Sequence, residues 1–60
     1  MKLELTDDQG AELRILLDTA LRDLSHEIAA TDNADYRAGL RDRRDTLAAI
    51  RHELEVSAVA

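Results

Sequence analysis

Apolar residues recur along the first half of this chain at Leu13, Leu16, Leu17, Ala20, Leu21, Leu24 and Ile28. Steps of three and four place them on one wide face of a helix. The residues just ahead of them make a good helix start. Thr6-Asp7-Asp8-Gln9 has capping-box spacing: the Thr6 hydroxyl accepts from the Gln9 amide, and the Gln9 side chain reaches back to Thr6. Asp7 and Asp8 fall in the first turn, where the helix dipole favours negative charge. Leu5 precedes the cap and staples the chain onto the first turns. The pattern predicts a helix over 7–30.

A second pattern occupies the other half. Tyr36, Leu40, Arg43, Leu47, Ile50 and Leu54 are separated by alternating steps of four and three, a heptad seam with one arginine inside it. It predicts a helix over 33–56 and a frayed tail over 57–60. Thr31, Asp32 and Asn33 are poor mid-helix residues, because their side chains compete for nearby backbone groups. They place a turn at 31–35, with Asp32 as candidate N-cap and Asp35 at the third helical position. A calcium loop does not fit there. Counting back from Gly39 puts Ala34 at the first ligand position. Residues 1–6 alternate apolar and polar and read as a short extended arm, free to pack on the helices or pair with a second copy.

The fold class is therefore all-α: one domain over 1–60, a two-helix antiparallel hairpin. The register brings Ile28 near Tyr36, Leu24 near Leu40 and Leu17 near Leu47, with Leu13 near Ile50 and Leu54. Arg43 falls opposite Ala20 and Leu21. One neighbour cannot cover a stripe as wide as that of the first helix, with its paired positions Leu16/Leu17 and Ala20/Leu21. A second hairpin completing a homodimeric four-helix bundle is the expected solution. Leu13, Leu16, Leu17, Leu21, Leu24, Ile28, Tyr36, Leu40, Leu47, Ile50 and Leu54 are the expected core and dimer interface.

Composition narrows the picture. Sixty residues without cysteine exclude disulfides and thiolate metal sites, so association is the remaining way to stabilise so small a core. The opening residues lack an export pattern, and no stretch approaches the roughly 20 apolar residues of a membrane span. The expectation is a cytoplasmic protein with no membrane partner. Residues 1–35 carry three basic against nine acidic side chains, a net of −6, and residues 36–60 carry five arginines against four acids, a net of +1. Charge therefore favours the antiparallel arrangement, each exposed pair contributing about 0–1 kcal/mol.

Candidate chemistry is sparse. Asp23-x-x-His26 followed by Glu27 is related to the Glu-x-x-His spacing of di-iron bundles. The second helix offers no facing carboxylate, and no metal or other cofactor is expected. Ser25 beside His26 points elsewhere on a helix, so no nucleophile–base pair arises and no enzyme is expected. Arg37, Arg41, Arg44 and Arg51 form a candidate stripe for an anionic partner. Interleaved Asp42 and Asp45 and an overall charge of −5 oppose nucleic acid. Arg43 has three readings: it snorkels outward along its stem, it pairs with Asp18, Asp23 or an acid of a second chain, or it marks an anionic site.

The elements Glu27-Ile28-Ala29, Thr31-Asp32-Asn33, Tyr36-Arg37 and Leu40-Arg41 carry a resemblance. Over about two thirds of the chain, the sequence resembles a group of small bacterial helical-hairpin proteins with no established function. The resemblance implies a hairpin and no activity. Spacing across the turn further suggests that Glu27 and Arg37 meet as a structural clasp. The function expected is a self-associating protein-interaction module. The alternative is an antitoxin-like or transcription-associated protein that uses the arginine stripe, or the apolar face of the first helix, to bind a partner.

Overall fold

The computed structural model describes residues 3–59, with side chains described over 3–56. It consists of α1, Asp7–Ala30, and α2, Ala34–Val59, packed against each other as a hairpin. The described residues contain no strand. Residues 3–6 lead into α1 without regular structure, and Met1 and Lys2 of the expected arm lie outside the described residues. The helix at the other end continues through Val59, where fraying from position 57 was expected; Ala60 lies outside the described residues.

The start of α1 is the capping box that the sequence suggests. The Thr6 hydroxyl accepts from the Gln9 amide at 3.1 Å, and the Thr6 amide donates to Gln9 Oε1 at 3.0 Å. Two amides without helical partners are thereby satisfied reciprocally.

The turn is shorter than expected, spanning Thr31, Asp32 and Asn33. Thr31 leaves α1 with extended backbone (φ −84°, ψ 140°) while its amide still donates to the Glu27 carbonyl at 3.0 Å. Its hydroxyl accepts from the Asn33 amide at 3.3 Å. Asn33, not Asp32, is the cap of α2. Its Oδ1 accepts from the Tyr36 amide at 3.0 Å, and its carbonyl accepts from Arg37 at 2.9 Å, the first rung of the helix. Asp35 consequently sits one position earlier in the first turn than expected. No described residue has positive φ, so the chain reverses without left-handed backbone.

The expected Glu27–Arg37 clasp is replaced by another. Arg37 Nε donates to the Ile28 carbonyl at 3.2 Å, and Arg37 Nη2 donates to the Thr31 carbonyl. No ion pair joins it to Glu27, whose side chain is exposed. The guanidinium thus satisfies carbonyls at the end of α1 that have no helical donor, where the helix dipole favours a cation. The last turn of α1 has no basic residue of its own. Arg37 supplies that charge from the other side of the turn.

The interior is thin. Leu17, Leu24 and Leu40 are the buried hydrophobic residues, and no polar residue is buried among the described ones. Leu13, Leu21, Ile28, Leu47 and Leu54 are half-buried around them. The hairpin is a rod of 41 × 20 × 15 Å with a radius of gyration of 13.5 Å, against about 10 Å for a compact chain of this length. Its accessible surface is 4916 Å², where a compact monomer of this mass exposes roughly 3,900 Å². Among the described residues no helix is long and apolar enough to cross a membrane.

Two substitutions check this anatomy. Asn33→Ala is expected to cost about 1 kcal/mol in urea unfolding, and Asp32→Ala less than about 0.5 kcal/mol. Leu17→Asp places a carboxylate on the buried line, and its far-ultraviolet circular dichroism should show the helices lost.

Candidate interaction surface

Each helix of a hairpin has two flanks beside its contact line. At 100° per residue, Arg14 and Asp18 fall on one flank of α1, and Leu16, Ala20, Asp23 and Glu27 on the other. On α2, Arg37, Arg44, Arg51 and Glu55 share one flank, while Tyr36, Arg43 and Ile50 share the opposite one. Folding back brings like flanks together, so the hairpin has two chemically different edges.

The first edge is ionic. Arg51 Nε donates to Asp18 Oδ1 at 2.8 Å, and Arg51 Nη1 donates to Glu55 Oε1 at 2.7 Å. Arg14 Nε lies 3.0 Å from the same Glu55 oxygen, but its N–H is not aimed at it, so that contact is an ion pair without a hydrogen bond. Arg14 and Asp18 climb α1 by one turn while Glu55 and Arg51 descend α2 by one turn. Antiparallel geometry alone puts the four in alternating order. The hydrogen bond from Arg51 holds the Asp18 carboxyl below the usual aspartate range. Partial burial opposes that shift, and the charges of Arg51, Arg14 and Arg22 add to it. The same bond, with that to Glu55, raises the Arg51 guanidinium further above its already high value.

The second edge is apolar and open. Leu16, Tyr36 and Ile50 remain 63%, 56% and 44% exposed. Two grooves open along the hairpin. One lies between the arm and the free helix ends, walled by Leu3, Leu5, Leu13, Ile50 and Leu54. The other lies nearer the turn, where Asp23 and Glu27 of α1 face Tyr36 and Arg43 of α2 over Leu24 and Leu40. Arg43 is exposed there and has no carboxylate within 4 Å among the described residues, so it pairs with neither Asp18 nor Asp23 of its own hairpin.

The arginine stripe is not a free cationic face. Arg37 is engaged at the end of α1 and Arg51 is in the ionic edge. Arg44 lies 3.5 Å from its neighbour Asp45, and Arg41 is exposed without an ion pair among the described residues. Asp23, His26 and His52 are all exposed, and no group of three potential metal ligands comes together among the described residues. Sequence reasoning passed over Arg14 and Glu55 as partners, and over Ile15, which is 57% exposed on the outer face of α1. The signal for the first two was present in the four-residue spacings of Arg14–Asp18 and Arg51–Glu55, read on the flanks of the two stripes.

No protein-family model matches the chain, and neither a curated protein nor a solved structure matches it.

The ionic edge gives stability a pH dependence of known sign. Asp18 holds its proton less tightly folded than unfolded, so its contribution is complete above the unfolded value of about 3.9. It is lost as pH falls through that value and the lower folded one. Melting curves between neutral and strongly acid pH should show wild type above Asp18→Asn at neutral pH, with the two converging in acid. A constant gap would show that the carboxylate is not the source.

Proposed function

We propose that this protein is a non-enzymatic, self-associating interaction module, working as a homodimer in which two hairpins complete a four-helix bundle. One observation carries the reading: Leu16, Tyr36 and Ile50 stand exposed along a single edge while the buried interior holds Leu17, Leu24 and Leu40. A 60-residue chain without cysteine has no covalent substitute for the missing interior. Its accessible surface of 4916 Å² exceeds that of a compact monomer by about 1,000 Å². A specific dimer buries about 800 Å² on each partner, so the excess is of the size that pairing removes. The engagement of Arg37 and Arg51 inside the hairpin weighs against the antitoxin-like or transcription-associated reading, which draws on those arginines for an anionic partner.

Light scattering over a hundredfold concentration range, with helicity followed alongside, tests this. The expected result is twice the 6.7 kDa protomer mass, and Leu16→Lys, which leaves the buried line intact, should give a monomer of lower helicity than the wild-type dimer. A wild-type monomer over the whole range would overturn the proposal.

A further inference from the structure

The open edge carries charge as well as apolar surface, and the arrangement of that charge bears on how a second copy docks. Along α1, Leu16, Ala20, Asp23 and Glu27 form one line in steps of four, three and four. Along α2, Tyr36, Arg43 and Ile50 form another, one residue every two turns. Asp23, Glu27 and Arg43 line the same groove, with both acids within about a turn of Arg43 along the rod. Leu16 and Ile50 lie together at another level, within a turn of the Asp18–Arg51 pair. The acids on α1 and the arginine on α2 are exposed and unpaired within 4 Å among the described residues.

Two face-to-face dockings with two-fold symmetry are available. If the axis runs across the helices, the turns lie at opposite ends and α1 faces the partner's α1. Levels then invert, Arg43 comes against the partner's Ile50, and the acids find no cation. If the axis runs along the helices, the turns lie at the same end and α1 faces the partner's α2 at an unchanged level. Leu16 then meets the partner's Ile50, and Arg43 meets the partner's Asp23 and Glu27.

Resting on the self-association reading above, we propose that a second copy of this chain docks on the open edge with both turns at the same end, each Arg43 seated on the partner's Asp23 and Glu27. The docking sets the exposed Leu16 and Ile50 against one another and places the one cation of the shared groove against both of its acids. It leaves the ionic edges facing outward, so each copy's Arg51–Asp18 bond is unaffected.

A charge swap tests it by sedimentation, with helicity as the check on folding. Arg43→Glu alone, and Asp23→Lys combined with Glu27→Lys, each set like charges across both symmetry-related contacts. Each should self-associate about tenfold more weakly than wild type. In a one-to-one mixture every swapped charge meets an opposite one, and association should return to the wild-type level. Unchanged association of the separate variants, or weakening that mixing does not rescue, would overturn the docking while leaving a dimeric wild type standing. A monomeric wild type would instead remove the self-association reading itself. Independently of these variants, Asp32→Cys should cross-link to a dimer with a short bis-maleimide. Turns at opposite ends of a 41 Å rod would yield none, and that result would also overturn the proposal.

Discussion

A pair of helices touches along one line, and only side chains on that line are shielded from water by both. Here the line holds Leu17, Leu24 and Leu40. Burying a leucine contributes about 1.5–3 kcal/mol, whereas ordering the backbone costs about 1–2 kcal/mol for each residue. Three such residues leave the helices dependent on their termini, their edges and whatever covers the half-buried ring around them. The flanks of the contact line are therefore where the sequence does its discriminating. One carries charges in alternating order, and the other carries leucine, isoleucine and tyrosine.

The turn depends on the same economy of means. Two helices joined by three residues leave α1 with carbonyls that have no following amides. A glycine in left-handed conformation commonly deals with that, but this chain has none with positive φ. Arg37 takes over the task from the second helix, while Asn33 caps the helix it introduces. Capping and reversal are thereby coupled. The residue that closes the first helix is in place only when the second has formed its first turn against it.

The two helices and their hairpin arrangement were legible because both depend on local repetition. Steps of three and four, the Thr6–Gln9 spacing and the break at Thr31 are properties of neighbours in the chain. What was less legible involved a choice between partners at similar chain distance. Asp32 and Asn33 can both cap a helix, and only the exit direction of Thr31 decides that Asn33 does. Glu27 is an evident partner for Arg37 by charge, yet unsatisfied carbonyls at the helix end stand directly in the guanidinium's path. Leu16 and Leu17 are equivalent by composition. The rotation of α1 about its axis, set by the buried line, sends one inward and leaves the other exposed. The grouping of Arg14, Asp18, Arg51 and Glu55 required the two flanks to be read together.

The inequality of the two edges has a bearing on how far the proposed assembly would proceed. A surface that complements itself is consumed when two copies meet about a two-fold axis, whereas a surface that complements some different patch propagates into rings or filaments. On this hairpin the edge opposite the apolar one is closed by the Arg51–Asp18 and Arg51–Glu55 bonds. Charges already neutralised by their neighbours offer an incoming apolar strip nothing in exchange for dehydration. If two copies dock on the apolar edge as proposed, the ionic edge would act as a terminator and make a finite particle the natural end point.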